Sequence, residues 1–192
     1  MRVIGGALGG RKIEAPAGIR PVSQRVKKSC FDIIAGQVYR KSVLDLFAGS
    51  GSLGIEALSR GAKRAVFIDC SKESIKAVEG NIKAFKIEKE SSSYLSDSFA
   101  AVKDFYIKKL FFDFIFIDPP YNQGLFTKSL QLIKGYDILT PSGYLIGFCH
   151  KKENSISRCG CFSLILKRNY GQSALSIYRK QDSDEGNLSG DI

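Results

Sequence analysis

Apolar runs alternate with segments of helical apolar spacing from residue 42 onward. The runs predict β-strands at 42–47, 64–69, 93–97, 112–118, 143–149, 161–168 and 172–179. Helices are predicted between them, at 52–60, 98–109, 124–136 and in a segment where Ile75, Val78, Ile82 and Phe85 lie at helical spacing. This alternation predicts an α/β fold with a seven-stranded, mostly parallel, doubly wound sheet. The last two strands leave no room for a helix between them, so they are predicted to form an antiparallel C-terminal hairpin.

The first 41 residues differ in character from the rest of the chain. Residues 1–20 are glycine-rich and predict a hairpin or arm, and a helix is predicted at 23–36. Nine Lys or Arg stand against two acidic residues in 1–41, a formal net charge of +7. The last twelve residues carry four acidic groups and almost no apolar ones. We therefore divide the chain into a basic N-terminal arm (1–40), a main domain (41–180) and a flexible acidic tail (181–192).

Composition excludes several classes of protein. The chain has 192 residues, 44% of them hydrophobic, and a net charge of +10. No apolar run approaches the roughly 20 residues that span a bilayer, so we expect a cytoplasmic protein without membrane contact. Five scattered cysteines and a single histidine give no usual metal-binding spacing, so no metal is expected. The basic charge suggests a polyanion such as nucleic acid as partner, although basic residues also serve simply to solubilise a surface.

The segment DLFAGSGSLG, residues 45–54, follows the first predicted strand of the domain and opens a helix. Gly49, Gly51 and Gly54 satisfy G-x-G-x-x-G, and Asp69 ends the next strand 20 residues after Gly49. A dinucleotide site and a simple glycine turn are both compatible with this pattern. Asp45, inside the strand, favours a ligand with a cationic ammonium group, S-adenosylmethionine, over one with a pyrophosphate.

Acidic residues at three successive strand ends match the parts of that cofactor. Asp45 would face the amino acid, Asp69 the ribose diol and Asp97 the exocyclic amine of the adenine. The predicted cofactor-binding residues are Asp45, Phe47, Ala48, Gly49, Ser50, Gly51, Leu53, Asp69, Cys70, Asp97 and Ser98.

The stretch FIFIDPPYNQG, residues 114–124, ends a buried strand with an acid, two prolines and a tyrosine. Together with the glycine loop, Asp118-Pro119-Pro120-Tyr121 resembles the [D/N/S]-P-P-[Y/F] signature of class I methyltransferases that modify exocyclic amino groups. The resemblance implies a Rossmann-like methyltransferase fold and these four residues as the catalytic set. Asp118 and the carbonyl of Pro119 can each accept one N–H of the target amine, so that its lone pair localises and points at the sulfonium methyl. Tyr121 can stack on an unstacked base.

The whole chain is similar to the RsmD family, which methylates guanine N2 in 16S ribosomal RNA. The similarity starts at RVIGG (2–6) and GRK (10–12), continues through GIRP (18–21), RVK (25–27) and GSGSLGIEALSRGA (49–62), and closes at YGQSALSIY (170–178). Val22 and Lys28 depart from the family's usual threonine and glutamate, and Asp69 stands where glutamate is frequent. The resemblance implies 16S rRNA as partner, within an assembled or assembling 30S particle, and a monomeric enzyme. The residues we expect to bind RNA are Arg2, Arg11, Lys12, Arg20, Arg25, Lys27 and Lys28.

Three other functions remain open at the level of the sequence. The same turn would serve adenine N6 methylation of RNA or DNA, which only the family resemblance disfavours. A ribosome-assembly factor that binds RNA without turnover would have no reason to keep both motifs. A dehydrogenase would need a second domain or a hydride-transfer residue, and neither is apparent.

Overall fold

An eight-stranded sheet with helices on both faces forms the protein in the computed structural model, which describes residues 1–18, 22–121, 123–153 and 157–181. The helices are α1 (Gln24–Ile33), α2 (Ser52–Ser59), α3 (Lys72–Phe85), α4 (Ser98–Ile107) and α5 (Leu125–Tyr136), with one 3₁₀ turn at Glu88–Glu90. The strands are β1 (Ser42–Asp45), β2 (Arg64–Asp69), β3 (Ser91–Leu95), β4 (Phe112–Ile117), β5 (Leu139–His150), β6 (Arg158–Cys159), β7 (Phe162–Tyr170) and β8 (Ser173–Lys180).

The strand order across the sheet is β3-β2-β1-β4-β5-β8-β7-β6. Strands β1 to β5 pair in parallel, whereas β8 pairs antiparallel with both β5 and β7. The order reverses between β1 and β4, the two strands that precede the glycine loop and the DPPY turn. In open α/β sheets, ligands bind outside the carboxyl ends of the strands at such a reversal. The topology therefore places both motifs at the expected binding crevice.

The structure confirms the predicted α/β class, the parallel core and the antiparallel C-terminal hairpin. All seven predicted strands are present, and the two-residue β6 extends the sheet at its edge. The main shift is in β5, which begins at Leu139 instead of 143. The register between β4 and β5 shifts near this start, and Ser142 has a left-handed backbone with φ of 56°. That irregularity interrupts the alternation on which a strand prediction depends.

Two apolar clusters cover the two faces of the sheet. On one face, α1, α2 and α3 pack on the central strands, with the ring of Phe31 in α1 5.5 Å from that of Phe116 in β4. On the other face, α4 and α5 pack on the same strands. Of the described helices, none has the length and apolar character needed to cross a membrane.

The basic N-terminal segment packs onto the main domain. An antiparallel bridge joins Arg2 to Lys12, as expected for a small hairpin, and the side chains of Val3 and Ile13 are buried in the same cluster as α1 and α2. Residues 1–40 and the sheet thus share one apolar core. The predicted tail beyond Gln181 lies outside the described residues.

Candidate active site

The glycine loop is held in shape by the ends of two strands. Gly51 is the N-cap of α2 with a left-handed φ of 77°, a conformation that suits glycine. The N–H of Gly49 donates to Asp69 Oδ2 at 2.8 Å, and the N–H of Gly54 donates to Asp45 Oδ2 at 3.0 Å. A Cβ at Gly54 would lie 2.3 Å from the ring of Phe67 in β2. The third glycine therefore lets α2 pack closely on the sheet.

Asp45 and Asp118 form an electrostatically unusual pair at the ends of β1 and β4. Asp45 is 1% exposed, and burial raises its pKa to about 7, against the hydrogen bond from Gly54 and with a smaller contribution from Asp69. Burial also raises the pKa of Asp118 well above its usual range, and the charge of Asp45 raises it further. Within the described ranges neither carboxylate has a cationic partner. A ligand that brings positive charge here would stabilise both ionised forms.

One oxygen of Asp45 indicates where the positive charge of a ligand would be bound. Asp45 Oδ1 is buried and has no hydrogen-bond partner among the described residues. A buried carboxylate oxygen without a partner is costly, and in native proteins it commonly marks a ligand contact. The expected cofactor, S-adenosylmethionine, carries an ammonium group and a sulfonium, so the residues present fit it. A pyrophosphate would instead be repelled by two carboxylates.

Asp69 and Asp97 are both at strand ends, as predicted, and both also organise the backbone. Asp69 accepts from Gly49 N–H through one oxygen and from Ser71 N–H through the other, at 2.8 Å each. Asp97 is the N-cap of α4, where Oδ1 accepts from the N–H groups of Phe99 and Ala100. Its side chain is exposed. The structure thus brings Asp45, Asp69 and Asp97 together at the carboxyl ends of β1, β2 and β3. The contacts of Asp69 with a ribose and of Asp97 with an adenine stay predictions.

The remaining predicted cofactor-binding residues are mostly buried, and one of them is exposed. Ser98 is buried and its hydroxyl donates to the carbonyl of Leu46 at 2.7 Å, so it ties α4 to the end of β1. Ala48, Ser50 and Leu53 are also buried, and Phe47 is half-buried. Cys70, directly after Asp69, is exposed at the open edge.

The DPPY turn lies between β4 and the C-terminal hairpin. Pro119 is buried and Pro120 exposed, while Tyr121 is half-buried. The hydroxyl of Tyr121 donates to Ser173 Oγ at 3.0 Å, and its ring lies edge-on to that of His150, with 6.2 Å between centroids. Ser173 begins β8 and pairs with His150 of β5. His150 of β5 and Ser173 of β8 therefore fix the position of the Tyr121 side chain.

Asn81 was not among the predicted residues, and it connects the glycine loop to the N-terminal hairpin. It is buried in α3, and its amide nitrogen donates to the carbonyls of Ser50 and Glu14, at 3.0 and 2.8 Å. Its amide oxygen accepts from the N–H of Glu14 at 3.0 Å. The sequence does carry a signal for it: an amide beside the apolar stripe of α3, between Val78 and Ile82.

Lys27 was predicted to bind RNA, and the structure contradicts this prediction. Its side chain is fully buried, 3.3 Å from Glu56 Oε2, and it donates to the carbonyl of Arg2 and to Ser52 Oγ. Burial lowers the pKa of Lys27, and the nearby Glu56 carboxylate opposes that shift. The side chain has no surface to offer a polyanion. A charged residue on the apolar face of an amphipathic helix was the signal for this burial.

The other predicted RNA contacts are exposed where the structure describes them. Arg2, Arg11, Lys12, Arg25 and Lys28 are on the surface, and Arg20 lies outside the described residues. The guanidinium of Arg11 donates to the carbonyls of Ala84 and Phe85 and stacks 4.4 Å from the Phe85 ring centroid. Lys12 pairs with Glu14 at 2.8 Å. The assignment of these residues to RNA stays a prediction.

The sheet order, the glycine loop at the reversal point and the DPPY turn together define the class I methyltransferase fold. A family model described as "Conserved hypothetical protein 95" matches residues 1–179. The chain belongs to this family, the RsmD family, as its similarity to the following relatives also shows.

Relatives of this chain match it over nearly its full length. It is 35% identical over 183 residues to the Bacillus subtilis protein named "Putative rRNA methyltransferase YlbH", covering 94% of this chain and 100% of the relative. It is 31% identical to the Haemophilus influenzae "Ribosomal RNA small subunit methyltransferase D", covering 93% of each. Among solved structures, the Escherichia coli protein described as "Putative methyltransferase yhhF" superimposes with a TM-score of 0.83 at 28% identity, covering 94% of this chain and 98% of the other.

Proposed function

We propose that this protein transfers a methyl group from S-adenosylmethionine to the exocyclic N2 amine of a guanine in the 16S rRNA of the small ribosomal subunit. The observation that carries the proposal is the position of two carboxyls, Asp45 at the end of β1 and Asp118 directly after β4, at the point where the strand order reverses. In this proposal Asp45 binds the cationic cofactor and Asp118 accepts from the target amine. The names of the curated relatives support rRNA as the substrate.

The roles of the chain's own groups follow from their chemistry. Asp45 Oδ1, which has no hydrogen-bond partner in the part of the chain that the structure describes, binds the ammonium end of the cofactor. When bound, S-adenosylmethionine supplies an electrophilic methyl group on a sulfonium. Asp118 and the Pro119 carbonyl accept the two N–H groups of the target amine and orient its lone pair. Methyl transfer would form the new C–N bond as the C–S bond breaks, and the surplus proton of the amine would pass to Asp118, whose raised pKa suits a proton acceptor.

The bound base needs an aromatic surface and a rigid frame. Tyr121 supplies the ring, and its hydrogen bond to Ser173 fixes the ring's orientation. Base–aromatic stacking contributes about 1–3 kcal/mol per base. Proline at both positions after Asp118 limits the backbone freedom of the turn, so the acceptors are in place before the base arrives.

Transfer of labelled methyl from S-adenosylmethionine tests the proposal directly. The substrates are naked 16S rRNA and small-subunit particles that lack the modification, and mass spectrometry identifies the modified nucleoside. We expect N2-methylguanosine, with particles the better substrate. N6-methyladenosine would replace the guanine proposal by the adenine alternative, and absence of transfer to both substrates would contradict an rRNA methyltransferase.

A further inference from the structure

A cleft of about 340 Å³ lies between α1 and the C-terminal hairpin. Its lining includes Arg25, Lys28 and Ser29 of α1, and Arg168 and Tyr170 of β7. The Ser29 and Tyr170 hydroxyls are hydrogen bonded to each other and join the two walls. Two elements that lie far apart in the sequence, α1 and β7, thus create one basic surface. Arg168 was not among the residues predicted to bind RNA.

The charge of the cleft is unbalanced. Within the described part of the chain, neither Arg25 nor Arg168 forms an ion pair. Lys28 pairs with Asp32 at 2.7 Å, but both side chains are more than half exposed. An exposed pair of this kind contributes at most about 1 kcal/mol, so an incoming anion could replace the carboxylate at little cost. A concave surface with three cations and one anion attracts polyanions.

The cleft is continuous with the catalytic turn. Tyr170 pairs with Ser173 across β7 and β8, and Ser173 pairs with His150 across β8 and β5. Ser173 Oγ also accepts the hydrogen bond from the Tyr121 hydroxyl. Tyr170 and His150 are therefore two strand spacings apart, roughly 10 Å, at the edge of the sheet where Asp118 lies. A chain bound in the cleft would lead directly to the target base.

We propose that this cleft binds the phosphate backbone of single-stranded RNA next to the target nucleotide, with Arg25 and Arg168 as the principal contacts and Lys28 as the third. The proposal rests on the proposed function, because it assumes an RNA base at Asp118. Guanidinium groups bind phosphate oxygens through two parallel hydrogen bonds, which positions the strand as well as attracting it. Contacts of this kind position the RNA without reading its sequence.

Salt-dependent binding of a single-stranded 16S rRNA fragment tests the cleft. The variant is Arg25→Gln/Arg168→Gln, and the control is Lys76→Gln/Lys103→Gln, which removes the same charge from exposed positions on α3 and α4. The slope of log K against log salt should become shallower by roughly 0.7 per lost phosphate contact on a single strand, or about 1.4 in the cleft variant. The control should lose less than half of that. Equal losses in the two variants would contradict a specific site.

A gain of affinity provides the second test. Asp32→Asn removes the carboxylate that competes for Lys28, so RNA affinity at low salt should rise severalfold and the slope should steepen. Unchanged or weaker binding of Asp32→Asn would contradict the phosphate site, because the carboxylate would then not occupy a place that a phosphate takes.

Methyl transfer to particles, measured on the same preparations, separates this proposal from the proposed function. The cleft variant should show a KM for the particle that rises more than kcat falls, whereas the control should match wild type. If wild type transfers methyl and the cleft variant keeps a wild-type slope and KM, the cleft proposal alone fails. If wild type transfers none to rRNA or particles, the proposed function fails, and the cleft proposal fails with it.

Discussion

At the residue scale, the buried carboxyl of Asp45 destabilises the folded protein but is suited to bind a cationic cofactor. One of its oxygens accepts from the N–H of Gly54, and the other is buried with no partner within residues 1–18, 22–121, 123–153 and 157–181. Burial raises its pKa to about 7, so the folded protein without cofactor keeps the proton below that pH. The protonated carboxyl does not attract a cation, and the ionised one does. Cofactor binding should therefore be coupled to the ionisation of this residue.

Affinity for S-adenosylmethionine should consequently fall as the pH falls through 7. Between pH 8 and pH 6 we expect the affinity to fall about tenfold, because the ionised fraction of a group with a pKa of about 7 falls by that factor over this range. Isothermal titration calorimetry at several pH values measures it. Asp45→Asn should bind more weakly at pH 8 and lose this pH dependence. Equal wild-type affinity at pH 6 and pH 8 would remove Asp45 from the binding of the cation.

Asp118 should affect turnover far more than cofactor affinity. Asp118→Ala removes both the charge and the preorganised acceptor at the reacting amine, and losses of this kind cost roughly 100-fold or more in kcat. The dissociation constant for S-adenosylmethionine should change by less than about threefold. Single-turnover methyl transfer together with calorimetry gives both numbers.

Tyr121→Phe is the matched control for that experiment. It keeps the ring and removes the hydroxyl, whose hydrogen bond to Ser173 contributes about 1 kcal/mol. We expect a decrease in kcat/KM of about fivefold. An Asp118→Ala protein as active as Tyr121→Phe would contradict a catalytic role for Asp118.

At the element scale, the glycine loop and α2 depend on one close approach. Gly54 lies in the first turn of α2, where a methyl group would overlap the ring of Phe67. Its N–H also fixes Asp45, so the position links packing to the site. The G-x-G-x-x-G pattern predicted the loop correctly, and only the packing of β2 shows which glycine has no room for a side chain.

Gly54→Ala should lower the free energy of unfolding by about 1–3 kcal/mol, the usual cost of overpacking. Cofactor affinity should fall with it, because Gly54 N–H would move away from Asp45. The control is Gly80→Ala in α3, where an added Cβ has no neighbour within 4 Å. That change should stabilise by about 0.5–1 kcal/mol, since alanine favours helix more than glycine. Urea unfolding of both variants measures this, and equal stability of the two would contradict the close approach.

At the scale of the whole molecule, a buried ion pair joins the N-terminal segment to the domain. Glu56 in α2 is fully buried and accepts from the N–H groups of Ile4 and Gly5, from Arg60 Nε and from Lys27. Lys27 in turn donates to the carbonyl of Arg2 and to Ser52 at the start of α2. The hairpin, α1 and the start of α2 after the glycine loop are thus connected through one polar cluster inside the core.

Lys27→Met should lower the free energy of unfolding by about 3 kcal/mol, because removing one partner leaves a buried charge less compensated. Hydrogen exchange at residues 2–10 should accelerate as the hairpin loosens. Lys28→Met, one position along α1, breaks only the exposed pair with Asp32 and should cost less than about 0.5 kcal/mol. Circular dichroism during urea unfolding compares them. Similar stabilities would contradict a structural role for Lys27.

Local pattern was sufficient to predict the elements and to select the residues of the candidate site. Continuous apolar runs predicted the strands, which are buried on both faces, and the 3.6-residue spacing of apolar positions predicted helices that bury one face. Asp45, the glycines and the DPPY turn predicted an acidic site for a cationic cofactor, because each is defined by residues a few positions apart. The parallel order of the strands then followed from the alternation of strand and helix.

Tertiary structure alone decided which partner each inward-facing polar residue meets and which distant segments come together. Lys27 and Lys28 are neighbours in a basic run, yet one lies in the core against Glu56 and the other on the surface beside Asp32. The cleft between α1 and β7 likewise joins Arg25 to Arg168 across 143 positions. Such contacts depend on how distant elements pack, and periodicity within one segment carries no information about the partner that the segment will meet. Charge and motif can therefore be read along the chain, whereas burial and proximity are properties of the folded molecule.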